Sequence, residues 1–361
     1  MTDCIIIGGG IIGMLTARNL RLAGKQVTLI DKGETGRESS WAGGGIVSPL
    51  YPWRYADSIT RLAGWGQTHY ELICNEISEN TGIDPEYTKN GLLILAAEES
   101  QQAVDWSVRF SRELEILSSD EITQIEPAMR SNHKPGIWLE NIAQVRNPRI
   151  VKALRADIEK LGVNILAYRQ VNSIDTKDGQ VVSVTTDTGK LKADQYAVCT
   201  GAWTGELLEP LGVSIAVKPV QGQMILFKSD PGAISRIVLE EDRYIIPRRD
   251  GRVLYGSTVE HVGFDKHTTE SAKKELHDIA VERFPILKDK PVEHHWAGLR
   301  PGSPDGVPVI SRHPEFENLF INAGHFRNGV VLAPASCQLL SEMMLGQETS
   351  FDIEDYAIGP K

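Results

Sequence analysis

Gly8-Gly9-Gly10-Ile11-Ile12-Gly13, set directly after the apolar run Cys4-Ile5-Ile6-Ile7, decides the fold of this chain. The spacing predicts a strand over 4–7, a turn over 8–13, a helix over 12–22 and a strand over 27–30 that delivers Asp31, which together make one βαβ unit. Gly8 permits the tight turn, Gly10 lets backbone approach a pyrophosphate, and Gly13 lets helix and strand pack closely. The helix start at Ile11 and Ile12 offers free N–H groups and positive partial charge to phosphate. Asp31 is placed to accept hydrogen bonds from ribose hydroxyls, and its charge repels a 2′-phosphate. These residues alone serve NAD and FAD equally well, and a glycine turn that merely joins strand to helix is the competing reading.

Working outward, helical patterning recurs over 59–80, and Asp84-Pro85 and Asn90-Gly91 mark turns before the apolar run 92–96. A second helix is expected from Asn147, an N-cap candidate, through Pro148 at the first helical position to Gly162, feeding a strand over 163–167. Strand patterns follow at 180–186, 195–200, 223–227, 243–246 and 252–255, with turns at Asp178-Gly179 and Asp250-Gly251. With 361 residues and no internal repeat or long linker, two intertwined domains are expected rather than one core or a bead on a string.

Composition excludes several function classes. A hydrophobic fraction of 41% and a charged fraction of 24% are those of a globular protein, and no run of apolar residues is long enough to span a membrane. The first strand begins so close to Met1 that no leader is expected, and the expected location is cytoplasmic. A net charge of −10 disfavours nucleic acid as a partner. Cys4, Cys74, Cys199 and Cys337 have no CxxC spacing, so neither a metal site nor a disulfide framework is expected, and most read as core residues.

A second glycine-rich stretch, Gly36-Arg37-Glu38-Ser39-Ser40-Trp41-Ala42-Gly43-Gly44-Gly45, follows the βαβ unit. Gly43, Gly44 and Gly45 would let backbone lie against a flat ring, and the Ser39 and Ser40 hydroxyls could hold pyrophosphate or ribityl oxygens; taken neutrally it is a flexible surface loop. Taken with Asp31-Lys32, Thr200-Gly201-Ala202-Trp203, Trp296-Ala297-Gly298-Leu299-Arg300-Pro301 and Gly324-His325-Phe326-Arg327-Asn328-Gly329, it resembles the D-amino acid oxidase family of flavoproteins over nearly the whole chain.

The resemblance implies an α/β fold with a Rossmann-like FAD-binding domain intertwined with an α+β substrate domain dominated by an antiparallel sheet. Its implied bounds are 1–85, 141–215 and 299–361 for the first and 86–140 and 216–298 for the second. It implies noncovalent FAD held by Gly8, Gly10, Ile11, Ile12, Gly13, Asp31, Lys32, Ser39, Ser40 and Gly43 to Gly45, with Val171 meeting adenine through its backbone. The segment His325, Phe326, Arg327, Asn328, Gly329, Val330, Val331 would lie beside the isoalloxazine, with a helix N-terminus from Gly329 facing flavin N1 and the C2 carbonyl. Arg300 would grip a substrate carboxylate with help from Tyr244, and Arg327 would be auxiliary. Outside that context Arg300 is a turn arginine, Arg327 a loop arginine paired with a surface carboxylate, and Tyr244 a structural tyrosine. Tyr51, Trp53 and Tyr55 with Arg54 could form an entrance lid, although ordinary packing explains them equally well.

The implied reaction is oxidation of a glycine-sized amine by hydride transfer to flavin, giving glyoxylate, ammonia and hydrogen peroxide from oxygen, with the imine available to thiamine thiazole synthesis. The implied assembly is a homotetramer. Competing activities are a D-amino acid dehydrogenase or a sarcosine oxidase of the same family. From a different class, the chain could be a regulatory protein with a structural nucleotide.

Overall fold

The computed structural model describes residues 2–130 and 134–358. The βαβ unit is the centre of a six-stranded sheet in the order Val309–Arg312, Leu319–Ala323, Gln195–Val198, Cys4–Ile7, Val27–Ile30 and Asn164–Leu166. All neighbours run parallel except the edge strand Val309–Arg312, which is antiparallel. Alternation sorts the sheet's side chains between two cores. Cys4, Ile6, Val27, Leu29 and Phe320 face the helices Ile11–Leu22, Asp57–Thr81, Asn147–Lys160 and Gly329–Leu345. Ile5, Ile7, Ile30, Val198 and Ile321 face Ile174, Val181 and Val184 of a small antiparallel sheet.

The second large sheet has eight strands in the order Val292–Gly302, Lys218–Lys228, Arg252–Gly256, Arg243–Pro247, Ile237–Glu240, Leu92–Ile94, Gly136–Leu139 and Glu115–Leu117, with a single parallel pair, Ile237–Glu240 with Leu92–Ile94. One face buries Met224, Tyr244, Ile246 and Leu254 against Leu50 and Tyr51; the other buries Ile225, Phe227 and Val253 against Leu276 and Ala280 of the helix Glu270–Arg283. The expected combination of a dinucleotide fold and a largely antiparallel second sheet is what the chain adopts. Among the described residues no helix is long and apolar enough to cross a membrane.

One expectation needs correction, and two elements carry too weak a sequence pattern to be expected. Asn147 does not cap its helix: it is the first helical residue, Arg146 holds the cap position, and the Asn147 amide donates instead to the Ser40 carbonyl at 2.7 Å. The strand Val292–Gly302 carried no alternating pattern, because Gly298, Pro301 and Gly302 interrupt it, and it runs within the eight-stranded sheet across the boundary expected at 299. The helix Glu270–Arg283 was not marked because it buries only Ala272, Leu276 and Ala280, a stripe too narrow to stand out from its polar face.

Candidate active site

The glycine turn is built as its spacing demands. Gly8 has φ +106, and a Cβ there would collide with the Cys199 carbonyl; a Cβ on Gly13 would collide with the Gly8 carbonyl oxygen. Asp31 accepts the Gly9 N–H at 2.7 Å and the Gly33 N–H at 2.8 Å, so its carboxylate fixes the turn while facing the cleft. Burial raises its pKa above the usual carboxylate value, against the opposing pull of the Gly33 and Gly9 N–H groups. The helix Ile11–Leu22 has no acidic residue in its first turn, which leaves its N-terminus open to an anion.

These residues line a cavity of about 460 Å³ that receives side chains from both large sheets. Gly8, Gly10, Ile11, Ile12, Asp31, Lys32, Ser39, Ser40, residues 43–45 and Val171 are in its wall, together with Tyr244, Arg300, His325, Phe326, Arg327, Gly329 and Val330. Gly13, Asn328 and Val331 are not in the wall. Gly13 instead sets the helix–strand approach, and Asn328 and Val331 are buried behind it. Arg169, Thr200, Trp203, Ser257 and Asn322 join the lining without having been singled out as site residues. Lys32 lies over the Trp203 ring at 3.3 Å, and burial lowers its pKa.

The second glycine stretch is no flexible loop. Ser39–Ala42 is a short helix, pinned where the Trp296 indole donates to the Ala42 carbonyl at 3.0 Å and where Ser39 donates to the Leu299 carbonyl. Both serines line the cavity but offer it different atoms. Ser39 donates its hydrogen to Leu299 and can still accept, whereas Ser40 Oγ accepts the Ile11 N–H at 2.9 Å and keeps its own hydrogen to donate. A Cβ on Gly44 would crowd the Tyr244 ring and Ile246, and one on Gly45 would collide with the Val145 carbonyl. Arg248, overlooked in the sequence, is buried and braces this stretch by donating to the Gly44 carbonyl at 2.8 Å and the Val145 carbonyl at 3.1 Å.

Arg300 is the most unusual group in the cavity. It donates to the carbonyls of Gln221 and Thr258, each at 3.2 Å, and to Ser257 Oγ at 2.5 Å. Among the described residues it has no carboxylate within ion-pair distance. Burial lowers its pKa, the hydroxyl of Tyr244 supports the charged form, and the nearby charge of Arg327 opposes it. Its guanidinium lies over Gly222, where a Cβ would collide with it. Arg327 differs, since it pairs with Asp242 at 3.0 Å while still reaching the cavity wall. The Tyr51 group is packing: Tyr51 donates to the Glu241 carbonyl at 2.8 Å, Arg54 lies over its ring, and Trp53 and Arg54 share Glu99.

The cavity fits an extended dinucleotide. The anion-compatible helix start, the carboxylate on the following strand and a wall without side chains at 43–45 accommodate phosphates, a ribose and a flat ring in turn. The positive end of Gly329–Leu345, also free of acidic residues in its first turn, opens on the same space. All four cysteines are buried and free, and among the described residues no group of three or more His, Cys, Asp or Glu side chains is placed to hold a metal.

Known proteins share this architecture. The family model DAO, FAD dependent oxidoreductase, matches residues 3–343. A glycine oxidase of Pseudomonas aeruginosa is 45% identical over 355 residues, covering 98% of this chain and 97% of its own length. A Synechocystis protein named bifunctional protein ThiO/ThiG is 32% identical over 360 residues, covering 97% of this chain and 52% of its own length. The crystal structure of glycine oxidase from Geobacillus kaustophilus matches with a TM-score of 0.95 at 25% identity, over 99% of this chain and 98% of that one.

Proposed function

Because the chain belongs to the DAO family of FAD-dependent oxidoreductases, with FAD as its cofactor, we propose that it oxidises the α-amine of glycine and of amines close to it in size. Glycine, oxygen and water would give glyoxylate, ammonia and hydrogen peroxide. The observation that carries this reading is Arg300, a half-buried guanidinium with only neutral partners, opening on the cavity beside Tyr244. A partly desolvated cation without an anion is costly, and a bound carboxylate relieves that cost while fixing the substrate's orientation.

When bound, FAD supplies the two-electron acceptor that is later reoxidised by oxygen. Arg300 and the Tyr244 hydroxyl hold the carboxylate, and the apolar side chains of Ile46 and Leu50 narrow the space left for water. The helix N-terminus at Gly329 favours negative charge in the cleft by about 0.3–2 kcal/mol. His325 is no proton acceptor here: burial pushes its pKa down to about 3, and its Nε2 is engaged with Ser336 Oγ at 3.1 Å. In this scheme the amine enters neutral or sheds its proton on entry, and Arg300 and Tyr244 provide position. Arg327 is auxiliary in this scheme. Val171, Lys32 and the glycine turn would hold the adenosine and pyrophosphate half, and His325, Phe326, Arg327, Gly329 and Val330 would flank the ring, with Asn328 and Val331 behind them.

We assign the six-stranded sheet with its helices to FAD and the eight-stranded sheet to the substrate. A cytoplasmic homo-oligomer, and use of the imine in thiamine thiazole synthesis, extend the same proposal; the fused Synechocystis relative supports the latter. The purified protein should be yellow, release its flavin on acid precipitation, and form peroxide with glycine, sarcosine, D-alanine and D-proline in an order that favours the small amines. Excluding one methyl group is worth only about 1–3 kcal/mol, so overlap among them is expected. Electron delivery to a quinone dye without peroxide would move the chain to the dehydrogenases, and a colourless protein would overturn the enzyme reading.

Gly222 provides a second check. A Cβ there must push the Arg300 guanidinium aside, and because that group ends a flexible side chain, the fold gives easily while the anchor moves. Gly222→Ala should raise the KM for glycine about tenfold, the loss of roughly one good polar contact, with the flavin spectrum retained. An unchanged KM would show that Arg300 does not hold the carboxylate from this position.

A further inference from the structure

Two guanidinium groups reach one cavity, and they differ in what neutralises them. Arg300 meets carbonyls and a hydroxyl only. Arg327 donates from Nη1 to Asp242 Oδ1 at 3.0 Å, and among the described residues Asp242 is its one carboxylate partner. The pair straddles the rim, with the Arg327 side chain 21% exposed and that of Asp242 65% exposed. Asp242 lies in the turn between the strands Ile237–Glu240 and Arg243–Pro247, two residues before Tyr244. The turn is tied down on both sides: Glu240 pairs with Arg283, the Glu241 carbonyl accepts from Tyr51, and Arg243 pairs with Glu275 at 2.6 Å. The backbone that carries Asp242 is therefore held beside Arg327. Arg300 and Arg327 both line the cavity, and Asp242 reaches its edge through its pair with Arg327.

We propose that Asp242 determines specificity by occupying Arg327, so that the site accepts amines with one carboxylate and rejects those with two. This rests on the reading of Arg300 as the carboxylate anchor. A substrate held there by one carboxylate and carrying a second on its far arm meets the negative charge of Asp242 before it can use Arg327. A neutral arm of equal size meets no such charge. Occupation of Arg327 does the selecting, because the second carboxylate site is kept closed by its own partner.

The test uses the holoenzyme and two matched amines, N-ethylglycine and iminodiacetate, which differ mainly in the charge of one arm. Each is read by kcat/KM where it is turned over and by competitive inhibition of glycine oxidation where it is not. The wild-type protein should favour N-ethylglycine by about tenfold or more, the scale of one charged contact. Asp242→Asn should close that gap by about tenfold, and adding Arg327→Met should reopen it. Equal handling of the two amines by the wild type overturns the proposal whatever the variants do, as does an Asp242→Asn effect that persists without Arg327. A wild-type protein that neither oxidises glycine nor binds either amine overturns the parent reading instead.

Discussion

Replacing Arg300 by Met is expected to lower kcat/KM for glycine by about 10²–10⁴-fold while the protein stays yellow. The estimate comes from two charge-assisted hydrogen bonds to a carboxylate at about 1.5–3 kcal/mol each, with about 1.4 kcal/mol per factor of ten. The guanidinium is destabilised when alone, because burial and the charge of Arg327 both work against it. The arriving anion relieves both penalties, so the contact is worth more here than at a surface. If the carboxylate is gripped equally before and during the reaction, the loss falls mainly on KM. Arg300→Lys should recover only part of it, since an ammonium keeps the charge and loses the planar fork. Steady-state peroxide kinetics beside the visible flavin spectrum decide the matter: an Arg300→Met protein with its KM unchanged removes Arg300 from the site.

What the sequence displayed and what it hid follow the range of the interactions involved. The βαβ unit was legible because each of its signals is local and forced by backbone. Gly8 and Gly13 have no room for a side chain, and Asp31 returns to hold Gly9. Arg300, Tyr244 and Arg327 come from distant segments, and only their surrounding motifs joined them before the fold did. Gly222, Ser257 and Asp242 had no such motif. Their roles depend on strand register, with Val220 opposite Arg300 and Gly222 opposite Gly298, and register is set by tertiary pairing. Two glycines inside strands were the one available hint, since such positions often mark close approach of another group. Asn147 misled for a related reason: an asparagine before proline suits a cap, but its amide donates to the Ser40 carbonyl of a distant segment, and its Oδ1 accepts no helix N–H.

The glycine turn yields the other large effect. Gly13→Ala is expected to weaken FAD binding by about 10–100-fold, within the ~1–3 kcal/mol range of overpacking. The added methyl would collide with the Gly8 carbonyl oxygen and stand 3.4 Å from Ile6 Cγ2. Backbone cannot rotate aside as a side chain can, so the helix Ile11–Leu22 must lift from the strand Cys4–Ile7. That movement carries the N–H groups at Ile11 and Ile12 away from the phosphates they would hold. Gly24→Ala separates this effect from general strain. Its φ is +85, yet a Cβ there meets nothing within 4 Å, so the change should cost stability of about 1 kcal/mol and leave flavin affinity alone. Fluorescence titration of the two apoproteins with FAD gives the comparison. Equal affinities would show that the spacing between helix and strand does not govern the cofactor, and the physical account of the turn would have to be given up.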